Sequence, residues 1–223
     1  MYTSNYRKAV VLAVALLTTT LTGMAADEEL CAPFMDGKVD ESVLETMLNA
    51  AHEGHLYRMV AETSKVGFCV NSKLKRIKGD FHDFQGGMAL SGEGAGEAQA
   101  LVVIHTDSLD TDASAIKNLL KGERFFDVSR YPEILFVSTG FVWTSNTTGV
   151  LKGNLTLRGI TKPVYFKVTM SDIENGDTAL GKKILVKATT IINRSAFGMD
   201  TLSTLVSDDV QLCMSVEANK YGA

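Results

Sequence analysis

Lys162-Pro163-Val164-Tyr165-Phe166-Lys167-Val168-Thr169-Met170-Ser171 carries the cleanest alternation in the chain. Val164, Phe166, Val168 and Met170 fall on one face, and Tyr165, Lys167 and Thr169 on the other. Side chains of a strand point alternately to its two faces, so a period of two predicts a strand with one buried and one wetted side. Working outward, the same period recurs. Val66, Phe68 and Val70 alternate with Lys65, Gly67 and Cys69. Ala100, Val102 and Ile104 share a face of a strand over 97–106, and Val210, Leu212, Met214 and Val216 share one over 208–218. Further strands are predicted over 134–145, 149–158, 162–171 and 182–195. The connections after Ser145, Arg158 and Ser171 contain the Asn, Gly, Thr or Asp that hairpins prefer.

The stretch 78–91 is also strand-prone, but fully straight it would cover about 45 Å. Gly86-Gly87 is therefore expected to bend it, and the opposite parity of Phe81 and Phe84 calls for an irregularity between them. Ser91–Glu97, with Gly92, Gly94 and Gly96, reads as a hairpin loop. Two segments break the pattern. Ile116, Leu119 and Leu120 predict a helix over 113–121, capped by Thr111 or Asp112 and ended by Gly122. Val39, Val43, Leu44, Met47, Leu48 and Ala51 predict a second short helix, capped by Asp40 or Asp36. The fold class is all-β: eight antiparallel strands with one inserted helix and an N-terminal helical arm. Eight strands suffice to close a barrel and remove exposed edges. Periodicity does not separate that barrel from a sandwich.

At the N-terminus Arg7 and Lys8 precede the apolar run Ala9–Leu17, and Gly23-Met24-Ala25 offers small residues for cleavage. Residues 1–25 are read as a secretory signal peptide, 26–63 as the arm and 64–218 as the barrel domain. The run is too short for a bilayer span, which needs about 20 apolar residues. Removal of 1–25 leaves 198 residues with a net charge of −6. An acidic surface does not suit nucleic acid. The expected location is periplasmic or secreted. There, two of the three cysteines, Cys31, Cys69 and Cys213, are expected to pair.

Catalytic signals are weak. His52 and His55 in His-Glu-Gly-His have a conceivable ligand spacing, but solvated histidines past a helix end explain them better, and no metal site is assigned. The three glycines of 92–96 lack the third position of a dinucleotide fingerprint, which is Glu97. No G-x-S-x-G or H-E-x-x-H is present, and His105, Asp107 and Ser138 have no spacing that supports a triad. The chain is read as a non-enzyme without a cofactor.

Three ordered stretches carry a resemblance. They are Arg124-Phe125-Phe126-Asp127-Val128-Ser129-Arg130-Tyr131-Pro132 leading into Ile134–Thr139, Gly153-Asn154-Leu155-Thr156-Leu157-Arg158-Gly159-Ile160-Thr161-Lys162-Pro163-Val164, and Ile192-Asn193-Arg194-Ser195-Ala196-Phe197-Gly198-Met199. Together they resemble the YceI family of bacterial exported proteins, over about 56–218. The resemblance implies a lipocalin-like barrel whose lumen holds a long isoprenoid-type lipid, a polyisoprenoid or isoprenoid quinone. Where family members often carry an Arg-Asp pair and a His, this chain has Ile116, Lys117 and Leu119, so head-group contacts of that helix do not transfer. The segment 31–63 looks like an extension found in some relatives only.

For such a ligand the expected lining is Phe68, Ile104, Phe136, Leu155, Val164, Phe166 and Met214, each of which could equally be ordinary core. Arg158 and Arg194 could fork onto a head-group phosphate, or instead serve loop geometry. Cys69 has outward parity, and the arm must lie outside a closed barrel. A Cys31–Cys69 disulfide is therefore expected, with Cys69–Cys213 as the second choice. A homodimer stays open. The competing function is a stress-associated structural or interaction protein with a filled barrel and no lipid.

Overall fold

The computed structural model describes residues 39–90, 98–173 and 181–222. Helix α1 is Glu41–His52 and α2 is Ser114–Lys121. The strands are β1 Leu56–Met59, β2 Lys65–Ser72, β3 Arg76–Phe81, β4 Phe84–Leu90, β5 Ala98–His105, β6 Leu109–Asp110, β7 Glu133–Trp143, β8 Thr148–Leu157, β9 Ile160–Asp172, β10 Lys183–Asn193 and β11 Val206–Lys220. All pair antiparallel in one sheet, β1-β4-β5-β7-β8-β9-β10-β11-β2-β3-β6, and the extra β1–β11 pairing closes it. β1 and β2 are two lengths of one side, parted by a 3-10 turn at Ala61–Thr63, and both run along β11. β3 and β4 form the next side, paired to β2 and β1. The result is an eight-sided antiparallel barrel, so the barrel and not the sandwich is the fold.

The ring differs from expectation in two places. Residues 56–59, assigned to the arm, form β1; Tyr57 pairs with both Met88 and Lys220 and so closes the barrel. Four residues are too few for alternation to be seen in sequence, but two partners supply their backbone hydrogen bonds. The long strand 78–91 breaks at His82–Asp83, where the opposite parity of Phe81 and Phe84 called for an irregularity, and not at Gly86-Gly87. His82 N–H is taken by Ser108 Oγ, and the Asp83 carbonyl accepts from His105 N–H. Gly86 lies inside β4 instead. A Cβ there would come 2.5 Å from the Leu101 carbonyl oxygen and 2.7 Å from the Met59 sulfur, so the glycine serves close approach of neighbouring chains. The loop expected at 91–97, the signal peptide at 1–25 and Cys31 lie outside the described residues.

Helix α1 matches its predicted span. Asp40 caps it, accepting from Ser42 N–H at 2.9 Å, and Val43, Met47 and Ala50 are its buried face. It packs outside the barrel against β4, β1 and β5. Helix α2 begins where expected and ends at Gly122, but neither Thr111 nor Asp112 caps it. Thr111 Oγ1 donates to the Ala113 carbonyl, and its end is tied by Lys117 to Asp110 at 3.1 Å.

Candidate functional site: the barrel lumen and its mouth

Inward parity places Phe68, Val102, Phe136, Leu155, Phe166, Ile192 and Val210 together in the core. They surround a cavity of about 170 Å³ that opens at one barrel end. Phe68, Ile104, Phe136, Leu155, Phe166 and Met214, six of the seven predicted lining residues, meet at this cavity. Val164 also faces inward and is buried, but it packs in the core without touching the cavity. A second space of about 60 Å³ lies deeper, among Tyr57, Met88, Leu151, Met170 and Ala188. Val102, Phe136 and Met214 border both spaces and part them. Phe136 is held edge-to-face on Phe166, with ring centroids 5.3 Å apart.

The mouth is shaped by three connections: the β2–β3 turn, the α2-bearing segment after β5, and the 194–205 loop before β11. Phe125 and Phe126, just past α2, turn into the cavity, and Phe126 stacks within 5.6 Å of both Phe68 and Phe81. Sequence reasoning missed these two as lining, because they lie in a connection with no strand parity to orient them. The signal was present: two adjacent phenylalanines in an otherwise polar segment are a large apolar payload for a loop.

Glycines across from the rings make room for them. A Cβ at Gly153 would sit 2.5 Å from the Phe136 ring, and one at Gly79 the same distance from Phe68. Gly153→Ala should therefore push Phe136 toward the cavity at an overpacking cost of about 1–3 kcal/mol, measured by urea unfolding. An unchanged midpoint would mean that Phe136 has free space around it.

Among the described residues Arg194 is the one charged residue lining the cavity, and only 3% of it is exposed. Its guanidinium donates to the carbonyls of Met199, Thr201, Val206 and Ser207, from Nη1, Nη1, Nη2 and Nε respectively. The fork of donors is thus committed to folding the 194–207 loop over the lumen, which is the loop-geometry role rather than head-group binding. Arg158 follows the same course. Its Nη1 donates to the carbonyls of Glu123 and Phe125, and its charge lies over the Tyr131 ring at 5.8 Å. Arg158 and Gly159 both have positive φ, 53° and 70°, the sign pattern of a tight type I′ hairpin turn between β8 and β9. The two arginines therefore pin the mouth-forming segments to the barrel.

Asp208 fastens the start of the same loop. Ser195 donates to it from N–H at 2.9 Å and from Oγ at 2.8 Å. These bonds, the backbone one first, hold its carboxyl below the ordinary carboxylate range. Stabilisation from a depressed carboxylate is complete above its ordinary value and is lost as pH falls through the lowered one. Asp208→Asn should lower stability at neutral pH and flatten the acid limb of stability below about pH 4. An acid limb identical to that of the parent chain would remove Asp208 from this role.

Cys69 and Cys213 are free thiols, and Cys31, the partner expected for Cys69, lies outside the described residues. The second choice fails on register. Cys69 is opposite Gln211 and Cys213 opposite Gly67, which makes the two diagonal neighbours. Diagonal Cα atoms lie about 7–8 Å apart, beyond the usual disulfide reach. Burial pushes the Cys213 thiol up, and the nearby Cys69 adds to the effect.

The YceI-like domain model matches residues 57–218, from β1 to within two residues of the end of β11. The chain belongs to the YceI-like family. A UPF0312 protein of Pseudomonas putida (strain W619) is 34% identical over 144 residues, 65% of this chain and 74% of that protein. Among solved structures, Burkholderia cenocepacia BcnA shares the YceI-like fold with a TM-score of 0.66 at 23% identity, over 72% of this chain and 99% of that one. A polyisoprenoid-binding domain from Saccharophagus degradans shares it with a TM-score of 0.53 at 15% identity, over 74% and 98%. The YceI-like match begins at the strand that closes the ring, so the closing segment belongs to the family domain and not to the preceding arm.

Proposed function

We propose that this YceI-like barrel is an exported carrier or store for a long apolar lipid of isoprenoid type, held in the lumen. The observation that carries the proposal is the 170 Å³ cavity, apolar except for an arginine that gives four of its five donors to backbone carbonyls, opening at a mouth built by ordered loops. The fold shared with a polyisoprenoid-binding domain supports the same ligand class. The leader-like segment at 1–25 supports export. Each methylene buried would contribute about 0.8 kcal/mol, so a long chain gains strongly from such a lumen. Size sets a condition. A dry cavity of about 150 Å³ takes a molecule the size of benzene, so the cavity as it stands admits a short length of lipid. A long chain must part Phe136 from Phe166 and swing Met214 aside, joining the outer space to the deeper one. All three are unbranched at Cβ, and methionine adapts its shape readily.

Native mass spectrometry of gently purified protein tests the proposal, together with a pair of variants. Phe166→Trp extends a ring into the cavity and should reduce co-purified lipid while keeping most of the delipidated stability. Lys167→Trp, on the exposed face of β9, should change neither. A parent chain without lipid, combined with a Phe166→Trp variant weakened by about 1–3 kcal/mol, would support a filled barrel of structural or interaction role instead. The tight Phe136–Phe166 contact is the observation that favours that second reading.

A further inference from the structure

We propose that the mouth of the barrel docks on an anionic phospholipid bilayer, with Leu74 at its tip entering the headgroup region. This rests on the reading of the lumen as a lipid site and adds how lipid reaches it. Leu74 sits in the β2–β3 turn and is 96% exposed, an unusual place for a leucine in a turn of three residues. It is not alone. Leu205 is 50% exposed and its carbonyl accepts from Lys73 N–H, which joins the hairpin tip to the 194–205 loop. Leu202 and Leu119 are 39% and 45% exposed and also line the cavity, so the exposed rim runs without interruption into the lumen. Leu202 is held at φ 60°, a region that disfavours branched side chains, yet a leucine is kept there facing solvent.

Charge selects the occupant. Lys73 and Lys75 flank Leu74, with Arg76 next, and neither lysine has an acidic side chain within ion-pair distance among the described residues. The acidic groups of this barrel end stand beside the tip and not on it. Asp110 is paired with Lys117, and Asp208 and Asp209 accept hydrogen bonds from Ser195 and Asn193. Asp112, Glu123 and Asp200 lie on the α2-bearing segment and the 194–205 loop, which leaves the hairpin tip itself with basic charge alone. In a chain of net charge −4, a tip carrying only basic charge is the part that an anionic surface attracts. A basic pair bracketing an exposed leucine matches an interface of phosphate above and hydrocarbon below, whereas a soluble protein partner of acidic charge would leave the leucine rim unused. The polar groove between α1 and the barrel, lined by Asn49, Glu53, His55 and Gln99, has no comparable charge bias.

The test uses the chain with its single tryptophan, Trp143 at the opposite barrel end, replaced by phenylalanine and Leu74→Trp introduced. Vesicles of equal parts phosphatidylcholine and phosphatidylglycerol should shift the new tryptophan emission to the blue, and brominated lipid should quench it. Pure phosphatidylcholine should do much less. Adding Lys73→Gln and Lys75→Gln should weaken vesicle binding about fivefold per lysine, and raised salt should mimic that loss. Emission of Leu74→Trp that stays solvent-like with both vesicle types overturns the proposal. So does quenching of Trp143 in the parent chain instead. Native mass spectrometry of the same preparations keeps the two readings apart: retained lipid with no tip insertion defeats docking alone, and tip insertion with an empty lumen defeats the carrier reading alone.

Discussion

Arg194→Ala should cost about 3–5 kcal/mol of unfolding free energy, as a lower urea midpoint at unchanged slope. Four backbone carbonyls, those of Met199, Thr201, Val206 and Ser207, lose their charged donor at once. The site is 97% shielded, with 3% of the arginine exposed, so water cannot readily replace the guanidinium without opening the loop. Lysine is expected to recover little, because a single ammonium cannot reach carbonyls spread around a planar fork. The loss should be local in origin: hydrogen exchange in 194–207 should rise well before that in β8 and β9. If Arg194 instead bound a lipid head group, Arg194→Ala would leave delipidated stability nearly intact and remove lipid only. That result would reverse the assignment made from its hydrogen bonds.

Phe166→Ala is the second large effect, with an expected loss of about 3–5 kcal/mol in the delipidated protein. Phe166 is 2% exposed and carries the edge-to-face contact that fixes Phe136 between the two spaces. Removing the ring enlarges the outer cavity and frees Phe136 to turn, so the outer and deeper spaces become one. The variant should then regain part of its stability on addition of a soluble isoprenoid alcohol, and the regain should grow with ligand concentration. The parent chain, with the rings in place, should show a smaller shift at the same concentration. A Phe166→Ala protein that is destabilised and indifferent to the alcohol would identify the interior as a packed core with a defect and not as a binding site.

Much of this barrel was legible in the chain. Alternation oriented β2, β5, β8, β9 and β11 correctly, because side-chain parity along a strand is a local property that each residue carries regardless of its neighbours. Six of the seven residues named for the lumen do line one cavity for that reason, and the three motif stretches pointed to the family that the domain match bears out. The departures lie where local pattern is silent. β1 is four residues long and exists because Met88 and Lys220 flank Tyr57. The parity of Phe81 and Phe84 did mark a break between them, but Gly86-Gly87 did not bend the strand as expected; the partners that hold the break, Ser108 and His105, lie some 20 residues away or more.

The site shows the same division more sharply. Parity told which way Phe68, Phe136 and Phe166 point, but only closure of the ring decided that Phe136 and Met214 would stand between two spaces. Composition marked Arg158 and Arg194 as cations near loops. Which oxygens they meet depended on loops folding back, and both donate to backbone carbonyls of those loops. Leu74 in Lys-Leu-Lys carries no mark of its own in the sequence; it gains neighbours only because the 194–205 loop lies beside it and Leu202 and Leu119 join its exposed rim to the lumen. Secondary structure and facing are set by interactions a few residues apart, which the sequence alone encodes visibly. Cavity, septum and rim are set by contacts between residues tens to more than a hundred positions apart, whose geometry exists only once the barrel has closed.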